Sequence, residues 1–283
     1  MIAFLSGLFV LIWATGFIVA GIVAGRADPI TFLALRFACS IAVFAALSFG
    51  ARAAWPRDPR KWRDAIIAGM LLHGFYTGGV FWAVSQGLGP GLTGLVTALH
   101  PFFTAMLAIP LLHERLLPRQ WVGIAIGVVG VALILEPRLA AGAGVPILAL
   151  LAAVLATLSF TLGTIWQKRT KPDMDLRVNA AIQFVGATVL TAPFAYALES
   201  NHFDGSPALY GALAWAVLGL SVGGISILLV LLKRGAASKV APLLYLAPAV
   251  SAFMALALFG EALAPVQIAG MMLAVIGAFA ARS

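Results

Sequence analysis

The chain has 283 residues, of which 62% are hydrophobic and only 10% charged. A single soluble core cannot hide that much apolar surface and a disordered chain is poor in apolar residues, so both classes are excluded. The net charge of +8 does not point to nucleic acid, because the basic residues sit in short loops between apolar runs, as in membrane proteins.

Ten apolar segments follow in chain order, at about 2–24, 30–50, 65–85, 92–112, 119–136, 145–167, 177–198, 208–232, 239–259 and 264–281. Each is near the length a helix needs to cross a hydrocarbon layer of about 30 Å. The runs are continuously apolar, whereas a barrel strand alternates apolar and polar residues. The predicted fold class is therefore all-α, a polytopic membrane protein of ten transmembrane helices. The first run starts at Ile2 without a basic region ahead of it and is longer than a signal h-region, so no cleavable signal peptide is expected. The joints at Leu116–Pro118 and Leu263–Pro265 carry a nearby charge and a proline, and are expected to be tight turns. Cys39 stands alone, which excludes an internal disulfide and a cysteine metal site.

Lys and Arg alternate sharply between loops. With the N-terminus cytoplasmic, 15 fall on the inside, from Arg52 to Arg282, and only Arg26 and Arg138 outside. The positive-inside rule then places both termini in the cytoplasm, in a cytoplasmic (inner) membrane.

The chain also repeats itself. A displacement of 147 positions pairs Pro101 with Pro248, Glu114 with Glu261, Pro118 with Pro265, Gln120 with Gln267, Gly123 with Gly270 and Gly130 with Gly277. Over residues 101–130, 11 of 30 positions are identical. The same displacement pairs Leu35-Arg36-Phe37 with Ile182-Gln183-Phe184 without a gap. The predicted organisation is one integrated membrane domain of two five-helix repeats, 1–136 and 145–283. Five is odd, so the second repeat is inverted. Inverted repeats are a common plan of secondary transporters, with the substrate near the midplane.

The pattern Pro101…Glu114-Arg-Leu…Pro118…Gln120-Trp…Gly123, repeated as Pro248…Glu261-Ala-Leu…Pro265…Gln267…Gly270, resembles the signature of EamA-type carriers of the drug/metabolite transporter superfamily. Trp13-Ala14-Thr15-Gly16-Phe17 and Leu35-Arg36-Phe37 are similar to that family too. Within it, the chain is most similar to exporters of aromatic amino acids. The resemblance implies a central cavity lined by spans 1–4 and 6–9, with spans 5 and 10 peripheral.

Polar groups inside the hydrocarbon layer are costly and usually face a cavity or another helix. Span 4 carries Thr93, Thr97, His100 and Thr104 on one helical face, followed by Pro101, which removes a backbone donor and frees a carbonyl near the midplane. This stripe either lines a cavity or packs helix on helix. Span 3 offers His73 and Tyr76, span 6 offers Thr157, Thr161 and Thr164, and span 9 places Tyr245 one turn before Pro248. Trp13 lies near the middle of span 1, away from the interfaces where tryptophans collect. The expected substrate-binding set is Trp13, His73, Tyr76, Thr97, His100, Pro101, Thr157, Thr161, Tyr245 and Pro248. Arg36, the charged residue well inside a span, serves either as a gate or anion contact or snorkels to the interface.

Such a pocket suits an amphiphilic solute. No Asp or Glu lies deep in any span, so a zwitterion or neutral solute fits better than a cation, which would need a buried carboxylate. The predicted function is export of small amphiphilic metabolites, foremost aromatic or neutral amino acids, by alternating access. Facilitated diffusion is favoured over proton exchange, for which only His73 and His100 would qualify. A multidrug or organic-cation exporter is the alternative within transport. No HExxH, GxSxG or P-loop motif is present, so no enzyme is expected. The expected partners are a small-molecule substrate and the lipid bilayer, with no nucleic acid, no cofactor and no metal; the expected state is a monomer or weak dimer.

Overall fold

The computed structural model describes residues 2–100, 102–104, 106–107, 117–140, 146–170, 173–233, 247–261 and 264–280. Their regular structure is helical and they form no strand; the nearest thing to one is an isolated bridge between Ala27 and Phe203. The helices are α1 (Ile2–Val23), α2 (Pro29–Gly50), α3 (Pro59–Leu88), α4 (Pro90–Thr97), α5 (Pro118–Ala140), α6 (Ile147–Thr170), α7 (Leu176–Leu198), α8 (Pro207–Ala214 continuing through Trp215–Gly223 and Gly224–Lys233), α9 (Ala247–Phe259) and α10 (Pro265–Ala280). Six of the described helices, α1, α2, α3, α6, α7 and α8, are long and apolar enough to cross a membrane, and α9 and α10 are shorter apolar helices.

Proline sets many of the starts. Pro29, Pro59, Pro90 and Pro207 each occupy the first helical turn, where the missing N–H costs nothing. Asp58, Asp175 and Ser206 precede their helices and accept from the N–H groups of Arg60, Arg177 and Leu209. Because of the Asp58 cap, α3 begins six residues before the apolar run expected at 65, carrying the charged segment Pro59–Asp64. In span 4 the regular helix ends at Thr97, and the N–H groups of Ala98 and Leu99 bond three residues back, to Leu95 and Val96. The break falls just ahead of a proline in sequence, whose ring clashes with the carbonyl four residues before it.

Two helices loosen at matching places. Met70–Phe75 in α3 and Trp215–Gly223 in α8 are π-helical, and the displacement of 147 positions carries the first into the second. Such bulges are frequent at functional sites. They hold His73 and Ser221 respectively.

Helix contacts also exchange under that displacement. Phe37 of α2 stacks on Phe184 of α7 with ring centroids 5.8 Å apart, and these two positions are 147 apart. In the α5–α10 pair, Gly130 packs against Gly270 and Ala274, while Gly277 packs against Gly123 and Gly127. A contact set that maps onto itself when partners are swapped is the mark of a two-fold arrangement. The outer faces of this pair, including Val122, Val129, Met272 and Ile276, are exposed, as lipid-facing residues are. Glycine also lets α3 and α7 touch backbone to backbone: Gly69 lies under the Gln183 carbonyl and Gly186 under that of Ile66. Around the Phe37–Phe184 stack, Phe32, Phe44, Phe81 and Val84 complete the largest buried cluster.

A Cβ at Gly130 would sit 2.6 Å from backbone atoms of α10, whereas one at Gly7 would meet nothing within 4 Å. Gly130→Val is therefore expected to lower stability by about 1–3 kcal/mol in a reversible detergent unfolding titration, and Gly7→Ala to leave it unchanged or raise it by up to about 1 kcal/mol. Equal effects would contradict the packing.

Candidate functional site

A cavity of about 410 Å³ lies between α1, α2, α3, α6, α7 and α8. Its wall is mostly aromatic. Trp13 stands edge-on to Phe160 at 6.0 Å between centroids, and Phe160 meets Tyr76 at 4.7 Å. Across the space, the His73 imidazole stacks on Phe184 at 4.7 Å, and Phe184 stacks on Phe37. The polar groups among the lining residues are few: Arg36, His73, Tyr76, Thr77, Thr164, Gln167, Asn179, Gln183 and Ser221. No Asp or Glu is among them.

Of the residues singled out in the sequence, Trp13, Arg36, His73, Tyr76 and Thr164 line this cavity together. Thr97, His100, Thr157, Thr161 and Pro248 do not line it. His100 and Thr161 stand behind Phe160: His100 meets the Phe160 ring edge-on at 4.7 Å, and its Nδ1 lies 2.9 Å from the Thr161 hydroxyl. That hydroxyl donates to the Thr157 carbonyl at 3.0 Å, so it accepts from His100, whose proton is assigned to Nδ1 on this ground. Thr97 donates to the Gly94 carbonyl at 2.6 Å and faces the Tyr76 hydroxyl. Thr157 is fully buried and donates to the Ala153 carbonyl. Thr97, Thr157 and Thr161 thus turn their protons to their own helices, while Thr164 of the same span 6 stripe lines the cavity. Pro248 is buried in α9, its carbonyl accepting from Ser251. Pro101 and Tyr245 lie outside the described residues.

Several wall residues carry no motif. Phe160 joins both aromatic groups, yet one phenylalanine in an apolar run gives no signal. Asn179 and Gln167 do give one: each is an amide near the end of an apolar span, a costly placement without a polar surrounding. Asn179 is 5% exposed and its Oδ1 has no hydrogen-bond partner. The Nε of Arg36 is equally orphaned, with the residue 8% exposed. Among the described residues, no group of three His, Cys, Asp or Glu comes together that could hold a metal ion.

The cavity is asymmetric along the helices. At one end it reaches Gln167, near the end of α6, and Leu176, the first residue of α7. Toward the other end it stops at Phe81, well short of the end of α3 at Leu88. That end is closed by packing and by carboxylates on helix N-termini. α1 packs against α4, α9 and the far half of α3. Glu261, following α9, accepts from the N–H groups of Gly91 and Leu92 at 2.9 and 3.2 Å, tying α9 to the start of α4. Glu199 accepts from the N–H groups of Ile30 and Thr31 and from the Thr31 hydroxyl at 2.6–2.9 Å, tying α7 to the start of α2. A carboxylate at a helix N-terminus meets unpaired donors and the positive end of the dipole. Asp28 accepts from Ser200 and from the His202 N–H. Burial pushes its carboxyl up, but these hydrogen bonds outweigh burial and hold it below its ordinary value. Its contribution to closure is present above the ordinary carboxylate range and is lost as pH falls through the lowered value. At the open end Asp175 is lowered to about 2, chiefly by the Arg177 side chain on its own chain segment.

Comparison with known proteins agrees with this architecture. The sequence pattern of the EamA-like transporter family matches residues 1–136 and again 147–282. A Salmonella typhimurium protein named "Probable amino-acid metabolite efflux pump" is 28% identical, over 98% of this chain and 93% of that protein. A protein of the same name from Escherichia coli K12 is 28% identical over 97% and 92%. The "S-adenosylmethionine uptake transporter" of Rickettsia bellii is 28% identical over 69% of this chain and 64% of that protein. A crystal structure of a protein 23% identical superposes with a TM-score of 0.68, covering 99% of this chain and 96% of that one, and so shares the fold.

Replacing Glu261 by alanine strips a charged acceptor from two N–H groups of α4. The loss is about 1–3 kcal/mol of closure, a shift of roughly 5–150-fold in a two-state equilibrium. In a Cys39→Ser background, a cysteine at Val80 is expected to react correspondingly faster with an impermeant maleimide applied from the Glu261 face. An unchanged rate would contradict the clasp.

Proposed function

Since the chain belongs to the EamA-like transporter family, a family of membrane carriers and not of enzymes, we propose that it exports aromatic and other neutral amino acids through the cavity described above. The observation that carries the reading is the wall itself. Trp13, Tyr76, Phe160 and Phe184 offer ring faces to an apolar body, with a few amide, hydroxyl and guanidinium groups to orient a polar head. The names of two relatives point the same way, each a "Probable amino-acid metabolite efflux pump". An organic-cation exporter fits less well, because among the described residues no carboxylate lines the cavity.

Transport proceeds by alternating access between two inverted five-helix repeats, 1–136 and 145–283, with ten spans and both termini cytoplasmic. Three features support this: the double match of the family pattern, the pairing of Phe37 with Phe184, and the exchanged glycine contacts of α5 and α10. With the N-terminus inside, the open end faces the cytoplasm, where an exporter collects its load. The driving force is the substrate gradient. His73 and His100 serve as hydrogen-bonding groups, and flux is expected to be indifferent to an imposed pH gradient.

Purified protein in liposomes is expected to move labelled tryptophan, phenylalanine or tyrosine with saturation and counterflow. Phe160→Ala removes one ring face from the wall, worth about 0.5–1.5 kcal/mol to an aromatic solute, and should weaken apparent affinity roughly 2–13-fold. No flux above protein-free vesicles, or competition by bulky organic cations instead of amino acids, would overturn the reading. For topology, cysteines placed singly at Arg57 and Asp173 in the Cys39→Ser background should both be labelled from the cytoplasm, and cysteines at Gly25 and Gly205 from outside.

A further inference from the structure

Arg36 is the charge among the described residues of the cavity wall, and no anionic group among them answers it. It is 92% buried by its 8% exposure, and its Nε has no hydrogen-bond partner. Its guanidinium carbon lies 5.7 Å from the centre of the Phe37 ring, a cation–π contact that attracts the charge but supplies no anion and no hydrogen-bond acceptor. The ten acidic residues of the sequence are Asp28, Asp58, Asp64, Glu114, Glu136, Asp173, Asp175, Glu199, Asp204 and Glu261. None of the nine that fall among the described residues lines the cavity. Asp28 and Glu199 are occupied at the closed end, by Ser200 and His202 and by the start of α2. The stretches outside the described residues add a single acid, Glu114, at a span end.

A guanidinium stays charged in proteins, so it cannot escape burial by losing its proton. Left alone in a low-dielectric wall it is costly, and the usual remedy is a partner of opposite sign. Snorkelling does not supply one here, since the side chain lines the central space between six helices and not the lipid interface. The corresponding position of the second repeat is Gln183, so the site has one positive charge and no mirror copy of it.

We propose that Arg36 binds the carboxylate of the transported solute, and that the carrier selects molecules with one anionic group on an apolar body. The inference rests on the export of amino acids proposed above and names the group by which they are held. The planar fork of donors suits a carboxylate in two-point contact. Phe37 and the His73–Phe184 stack leave the adjoining wall to an apolar or aromatic side chain.

The test compares ligands that differ at one group, by isothermal titration on the full chain purified in detergent. Tryptophan and indole-3-propionate keep the carboxylate; tryptamine and tryptophan methyl ester do not. The first two are expected to bind about 10–100-fold more tightly than the last two, the range of a lost hydrogen bond to a charged group. Arg36→Gln, which places in the first repeat the residue that the second already carries, is expected to weaken tryptophan by that factor and to leave tryptamine unchanged. Equal binding of the four by the natural chain, or an equal loss of tryptophan and tryptamine in Arg36→Gln, overturns the assignment. If the variant does not fold, the comparison of tryptophan with its methyl ester on the natural chain decides. If tryptophan is not bound but another amino acid is, and its amine is not, the aromatic reading falls and the Arg36 contact stands. If no amino acid binds, both fall.

Discussion

The arrangement depends on one crossing. α2 and α7 meet at Phe37 and Phe184, two equivalent positions whose rings stack on each other. In lipid there is no hydrophobic force between helices, so such crossings are held by close packing and by shape. This one is braced by Phe44 on one side and by the His73 ring on the other, both against Phe184. Because the crossing is central, the residues beside it are displayed toward the interior: Arg36 before Phe37 and Gln183 before Phe184. The cavity is the space that α1, α3, α6 and α8 leave around that pair.

The two ends of the cavity are built from equivalent parts used differently. Asp28 and Asp175 are 147 positions apart, the displacement at which the sequence repeats itself. Asp28 is engaged across the halves, by Ser200 and His202, whereas Asp175 bonds to Arg177 two residues on. Likewise α1 packs along the far half of α3 at the closed end, while α6 and α8, their counterparts, make no comparable packing among the described residues. A molecule with near-equivalent halves can exchange these roles at small cost in energy, and two states of similar energy are what a carrier needs.

Much of this was legible in the sequence, because lipid is an exacting solvent. It forces each span to be continuously apolar, which fixed the order of the helices, and it makes each interior polar residue conspicuous, which picked out Trp13, Arg36, His73 and Tyr76. The same rule left the threonines open between wall and seam. Thr97, Thr157 and Thr161 form stripes, but a threonine can satisfy itself on a carbonyl of its own helix, so a stripe does not tell wall from seam. The helical extension to Pro59 was hidden by its charges, which belong to the interface. The π-helical stretches were hidden because a one-residue bulge leaves no mark on apolar periodicity. Phe160 was invisible, since its role comes from the residues that α1, α3 and span 4 bring to it.

The exchange of ends can be measured with two pairs of spin labels at equivalent sites, Ile22 with Gln86 across the closed end and Arg169 with Lys233 across the open one. Electron–electron dipolar spectroscopy in nanodiscs should give a short first distance and a long second one in the resting carrier. Saturating tryptophan should populate a state in which the first lengthens as the second shortens. Distances that never move, or that move together in the same sense, would contradict two inverted halves working about one cavity.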